Sequence, residues 1–207
     1  MKLAVIVLAA GNSIRFGSNK LLYEIDGKKM YERTLEVVEG LCSGADEQTG
    51  TDKEPVEESF SGMEITATVV TQYEEIAAAA RKRGFSVVYN AHPEDGISSS
   101  LKLGLAANME ADACFFAVAD QPWLRADTLK GLIEIWRTSG KGIACAAADG
   151  IPGNPCIFSD VYFSELLALT GDQGGKRVVH AHRQDVVLLE VENKQELEDM
   201  DTPIKTR

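Results

Sequence analysis

Leu3-Ala-Val-Ile-Val-Leu8-Ala-Ala-Gly11-Asn-Ser-Ile-Arg15-Phe-Gly17-Ser-Asn-Lys20 decides how the rest of this chain is read. An unbroken aliphatic run without polar alternation is the pattern of a strand buried on both faces, as in a parallel sheet, and it enters a glycine-containing turn directly. Small residues let the backbone approach a ligand closely, and backbone N–H groups at a sheet edge can bond phosphate oxygens. Arg15 and Lys20 add a fork-shaped and a flexible cation to the same turn. The turn is not a Walker A loop, and Gly11 and Gly17, with no third glycine, do not make G-x-G-x-x-G. On these residues alone an anion cradle and an ordinary βα connection both stand.

Working outward, the periodicities alternate. Helices are predicted over 31–41, 74–83, 100–109 and 126–137, and strands over 65–71, 85–89, 113–119 and 142–147. The run at 113–119 is the most apolar and is expected at the centre of the sheet. Beyond Gly150 a short strand is expected at 155–158, helices at 164–169 and 174–182, a strand at 186–191 and a helical turn at 194–199. Strand–helix alternation implies right-handed crossovers, with ligands collecting outside the carboxyl ends of the strands. One domain over 1–207 is expected, with an exposed, mobile acidic insertion at 43–62, which is polar and aperiodic.

The 207 residues are 44% hydrophobic and carry a net charge of −11. Segments 43–63 and 184–201 account for that whole excess, so the remainder is neutral and a site built from it need not repel an anion. Both acidic stretches read as solvated surface, and a broad nucleic-acid face is excluded. The aliphatic start is too short to span a bilayer, which points to a cytoplasmic protein. Cys42, Cys114, Cys145 and Cys156 form no C-x-x-C pair, and Cys114 and Cys145 lie in apolar runs as small buried hydrophobes. His92, His180 and His182 form no ligand set.

Two carboxylates stand out. Asp120 follows the most apolar strand and would face the crevice, while its bland alternative is a helix cap, for which Asp127 is the better candidate. Asp201 precedes Thr202-Pro203, and a simple Asp turn is equally open there. Ser100, at the predicted helix start, can cap a backbone N–H or touch a base or ribose.

L-A-A-G-x-S-x-R-x-G-x-x-K resembles the signature of MobA-like nucleotidyltransferases. Further segments, in order, resemble the molybdenum cofactor cytidylyltransferase branch: Asn90 with Gly96-Ile-Ser-Ser-Ser100-Leu, Ala119-Asp120-Gln-Pro122, Gly153-Asn-Pro155, Gly171-Asp-Gln-Gly174 and Asp201-Thr-Pro203. The resemblance runs from Leu8 to Pro203 and implies a Rossmann-like three-layer α/β/α nucleotidyltransferase fold with a mainly parallel sheet. It implies transfer of CMP from CTP to the terminal phosphate of molybdopterin, with delivery to a molybdenum hydroxylase. Leu8, Ala9, Ala10, Gly11, Asn12, Ser13, Lys20, Asn90, Gly96 and Ser100 would then bind nucleotide. Arg15, Lys20 and Asp120 would be catalytic, and Asp120 with Asp201 would hold Mg²⁺, which favours oxygen ligands and few carboxylates. Ala10, where guanylyltransferases tend to have glycine, favours a pyrimidine. Asn154 departs from the family's frequent histidine. The basic pair Lys176-Arg177 could meet the pterin's anionic end. The rivals are GTP with molybdopterin, CTP with another phosphorylated acceptor such as methylerythritol phosphate, and a non-catalytic nucleotide- or cofactor-binding module.

Overall fold

A computed structural model of the chain describes residues 1–11, 16, 19–43, 60 and 62–202. Asn12, Ser13, Arg15, Gly17 and Pro203 lie outside the described residues, as does the expected insertion at 43–62 apart from Ser43, Phe60 and Gly62. In chain order the elements are β1 (Lys2–Ala9), β2 (Glu24–Ile25), β3 (Lys28–Lys29), α1 (Met30–Ser43), β4 (Glu64–Thr71), α2 (Glu74–Lys82), β5 (Ser86–Tyr89) and α3 (Ile97–Ala106). Then follow β6 (Ala113–Val118), α4 (Ala126–Ser139), β7 (Ile143–Ala148), β8 (Ile151–Ser159), α5 (Phe163–Leu167), α6 (Lys176–Ala181) and β9 (Val186–Glu190).

Seven strands form one sheet in the order β5-β4-β1-β6-β8-β7-β9. β1 pairs in parallel with β4 and with β6, and β4 with β5, so the aliphatic opening run sits between two parallel neighbours. β6, buried at every position, is the central strand, as its composition predicts. β8 alone among these runs antiparallel, to both β6 and β7. The sequence reading found only its apolar end, because Ile151 to Asn154 are exposed or half-buried and carry no strand periodicity.

The pleat sends alternate β1 residues into two cores. Leu3, Val5 and Val7 pack with Leu35, Ile76 and Leu132 from α1, α2 and α4, while Ala4 and Ile6 pack with Leu105, Leu166 and Val179 from α3, α5 and α6. Each fully buried leucine contributes about 2 kcal/mol. The α3 layer lies very close to the sheet: a Cβ on Gly104 would stand 2.4 Å from Ile6 Cγ2. Cys114 and Cys145 are fully buried, as expected of small hydrophobes. Among the described residues no helix is long and apolar enough to cross a membrane.

Asp26-Gly27 forms an exposed turn that joins β2 to β3 in a hairpin, with both turn residues at positive φ, 51° and 77°, the geometry that Asp-Gly favours. Two local readings are corrected. Asp127 does not cap α4: Arg125 occupies the cap position without a side-chain bond, and Asp127 instead accepts from Arg125 Nη2. α3 begins three residues before Ser100, so Ser100 lies within its first turn and is no cap.

Candidate active site

The chain reverses its direction of travel across the sheet at β1. β4 and β5 lie on one side and β6 on the other, which opens a crevice between the carboxyl ends of β1 and β6. Ala119 N donates to Leu8 O at 3.0 Å, so the pairing continues past β6 and sets Asp120 beside the glycine turn. A cavity of about 520 Å³ lies there, and its lining brings together Ala10, Gly11, Lys20, Ser100, Asp120 and Asp201.

The β1 turn is braced from β4. Thr71 Oγ1 donates to Ala9 O at 2.9 Å, Gln72 Nε2 to Ala10 O at 2.7 Å and Tyr73 Oη to Gly11 O at 2.9 Å. Three successive carbonyls are thus held on the β4 side, and a carbonyl held away from a cavity does not repel an anion there. Sequence reasoning missed this brace. The signal was available, because 71–73 ends a strand at the same edge as Asp120.

Lys20 begins a 3₁₀ turn (Lys20–Leu22) that Asn19 caps by accepting from Leu21 N at 3.1 Å. Its ammonium lies 2.8 Å from Asp120 Oδ2 and 2.9 Å from Asp201 Oδ1, with the lysine side chain 13% exposed. Burial pushes this ammonium toward neutrality, but Asp120 and then Asp201 outweigh it, and its pKa stands above the ordinary lysine value.

The last described segment runs along the cleft. Met200 N donates to Asp120 O at 2.9 Å, and Gln121 Nε2 donates to Leu197 O at 2.9 Å and to Asp199 Oδ1 at 3.0 Å. Asp199 is a further carboxylate that the sequence reading missed. Burial, with the Asp120 charge added, raises its pKa above the usual carboxylate range against the opposing bond from Gln121. The acidic stretch 184–201 is therefore not a simple solvated face. Glu196 is buried and accepts from Thr128 Oγ1, Asp185 accepts from Tyr162 Oη, and Asp201 enters the site. The expectation that the site is built from the neutral remainder is corrected accordingly. Among its described lining residues, Lys20 is the one Lys or Arg facing Glu94, Asp120, Asp172 and Asp201.

The remaining predicted nucleotide contacts divide. Leu8, Gly96 and Ser100 line the cavity, whereas Ala9 is buried in the core behind it. Gly96, at φ 84°, abuts the loop after α5: a Cβ there would stand 2.4 Å from the Gly171 carbonyl, and Ser98 N donates to Gly171 O at 3.1 Å. Asn90, 2% exposed, lies behind Ser100 and donates from Nδ2 to Ser100 Oγ at 2.9 Å. Sharing Leu8, Ile97 and Asp172 with the first, a second cavity of about 390 Å³ is lined further by Phe116, Asn154, Phe158, Lys176, Arg177 and Asp199.

Asp120 and Asp201, already bridged by one cation, offer hard oxygen donors of the kind Mg²⁺ takes in ones and twos alongside phosphate. The residues present fit such a metal. Among the described residues no group of three or more His, Cys, Asp or Glu is placed to hold a metal ion.

Residues 5–186 match the MobA-like NTP transferase domain. The purine catabolism protein PucB of Bacillus subtilis (strain 168) is 27% identical over 205 residues, covering 96% of this chain and 91% of that protein. Among solved structures, Rv0371c of Mycobacterium tuberculosis H37Rv in complex with manganese is 26% identical, with a TM-score of 0.63 over 92% of this chain and 89% of that one. Mth528, a nucleotidyl transferase from Methanothermobacter thermautotroptrophicus, shares the fold at TM-score 0.71 and 22% identity, over 97% of this chain and 92% of that one. With the domain matched over most of its length, on a cleft where the glycine turn meets Lys20 and Asp120, this chain belongs to the MobA-like NTP transferase family and is a nucleotidyltransferase.

Proposed function

We propose that this nucleotidyltransferase moves CMP from CTP to the terminal phosphate of molybdopterin. A phosphate oxygen of the acceptor forms a bond to the α-phosphorus, the bond from that phosphorus to the bridging oxygen breaks, and pyrophosphate leaves with the electron pair. No covalent enzyme intermediate is needed. Anionic oxygens meet in this step, so catalysis rests on positioning and charge neutralisation.

One observation carries the reading: Lys20, Asp120 and Asp201 converge beside the β1 turn. Four carboxylates against one described cation would repel a bare triphosphate, so the nucleotide is expected to enter with a divalent cation, which we take to be Mg²⁺. When bound, that ion neutralises phosphate charge and orients the oxygens it touches. Asp120 and Asp201 would hold it. Lys20, freed from one or both carboxylates, would follow the charge that develops at the α-phosphate. The β1 turn from Ala10 to Ser13, with Arg15, would bind the triphosphate through its N–H groups and a guanidinium.

The second cavity suits the acceptor. Lys176 and Arg177 offer charge to an anionic end, and Asn154 offers hydrogen bonds beside them. A molybdenum hydroxylase is the proposed recipient of the product, and the purine catabolism name of the Bacillus relative is consistent with a recipient that handles purines.

Purified protein incubated with Mg²⁺, molybdopterin and each nucleoside triphosphate in turn should yield the cytosine dinucleotide by mass, with pyrophosphate released. A guanine dinucleotide would overturn the choice of nucleotide, and turnover of methylerythritol phosphate in place of molybdopterin would overturn the acceptor. Nucleotide binding without any pyrophosphate would favour a carrier.

A further inference from the structure

Among the described residues, Leu8, Ile97 and Asp172 line both the nucleotide cavity and the second cavity. They mark the junction, and an oxygen reaching from one cavity to a phosphorus held in the other must pass them. Two of the three are aliphatic. Ile97 begins α3 and stands on the same helical stripe as Leu101 and Leu105. Those leucines are 2% and 0% exposed, whereas Ile97 is left 37% exposed where the two cavities meet. Its place is fixed from both sides. Gly96 approaches Gly171 so closely that a Cβ would stand 2.4 Å from the Gly171 carbonyl, and Ser98 N donates to Gly171 O at 3.1 Å. The loop after α5 also passes beside it, since a Cβ on Gly174 would meet Ile97 Cγ2 at 3.7 Å.

Water competes with any acceptor at an α-phosphate. In hydrolysis a water oxygen forms the bond to the α-phosphorus, the bond from that phosphorus to the bridging oxygen breaks, and pyrophosphate leaves with the electron pair. The proton of the water passes to solvent, and CMP is lost instead of transferred. To attack in line the water must be held, and an ordered water takes about two to four polar partners. Among the described residues the junction offers one polar side chain, Asp172. We infer that Ile97, with Leu8, is a specificity-determining residue whose aliphatic surface denies water a hold beside the α-phosphate, so that the nucleotide is transferred to a phosphate acceptor rather than hydrolysed. The inference rests on the assignment of nucleotide and acceptor to these two cavities. An acceptor phosphate needs no partner at position 97, because the rest of its molecule is held in the second cavity.

The test is the ratio of CMP to cytosine dinucleotide formed from CTP, molybdopterin and Mg²⁺ in ¹⁸O-labelled water, read by mass. Label in the CMP phosphate identifies attack by water at the α-phosphorus. Ile97→Thr and Ile97→Val share a branched shape and differ by a hydroxyl, so the pair separates polarity from volume. Ile97→Thr should raise the ratio of labelled CMP to dinucleotide about tenfold, the scale of one hydrogen bond, and Ile97→Val should leave it as in the native protein. An unchanged ratio in Ile97→Thr, an equal rise in both variants, or a fall of both products in proportion overturns the inference. If the thermal midpoint shows that Ile97→Thr does not fold, Ile97→Ser against Ile97→Ala puts the same question with smaller side chains. A native protein that makes no dinucleotide from CTP and molybdopterin overturns the underlying functional reading, before any variant is made.

Discussion

The two walls of the cleft are held by different means. The wall from the β1 turn is anchored by the sheet: the carbonyls of Ala9, Ala10 and Gly11 each accept a bond from consecutive side chains ending β4, itself paired to β1 over all eight residues. The opposite wall, residues 194–201, has only a 3₁₀ turn of its own and is clipped on by Gln121, by Met200 N to Asp120 O, and by Glu196 to Thr128. One wall is rigid because strands define it, whereas the other depends on a few side-chain bonds. Damage to the first should impair nucleotide binding, and damage to the second should alter the metal requirement.

Asp120 belongs to both walls, since its carboxylate meets Lys20 and its carbonyl holds Met200. Asp120→Ala should therefore cost the most, about 10³-fold in pyrophosphate release at saturating CTP and Mg²⁺. A variant retaining full activity would refute the proposed role. Next in size is Lys20→Met. Turnover should fall about 10²-fold with the loss of a cation at the phosphates. Mn²⁺ added without nucleotide should bind more tightly than to the native protein, because the ammonium no longer competes for Asp120 and Asp201. Electron paramagnetic resonance of free Mn²⁺ reads this directly, and weaker binding would show that the lysine does not compete with the metal.

The clipped wall is probed by Gln121→Leu, which removes the donor to Leu197 O and Asp199 while keeping an apolar volume of similar size. The Mg²⁺ concentration giving half-maximal rate should rise about tenfold, the scale of losses when a group supporting a ligand is removed. KM for CTP at saturating Mg²⁺ should move much less. If KM rises and the Mg²⁺ dependence does not, the two walls do not divide their work in this way.

The same contrast governs what could be read from the residues. β1, β4 and β6 are buried, so their apolar runs announce them, and the central place of β6 follows from its composition. Asp120 was legible because a carboxylate after such a strand must lie at its carboxyl end. The C-terminal wall was not. Its acids resemble a solvated run, and what turns Asp199 and Asp201 inward is a long-range bond from Gln121, 78 residues from Asp199, together with burial of Met200. β8 was truncated for a related reason, as its first residues face the cleft or solvent and lack the alternation of a half-buried strand. Asn90 illustrates a finer limit. The motif marks the residue, but only the bond from His92 N reveals which end of its amide faces Ser100.

The smallest effect should come from the rigid wall. Tyr73→Phe removes a single hydroxyl that donates to Gly11 O, in a partly exposed setting where water can replace it. One such bond contributes about 1 kcal/mol, which corresponds to roughly fivefold in an equilibrium constant. Thr71 and Gln72 still hold the neighbouring carbonyls, and β4 still pairs with β1, so the turn should shift only at Gly11. KM for CTP should therefore rise by a few-fold while the Mg²⁺ dependence stays unchanged, the reverse of the pattern expected for Gln121→Leu. A large loss from this substitution, on the scale of Lys20→Met, would mean that the turn is held chiefly by its last bond and that the sheet contributes little to fixing it.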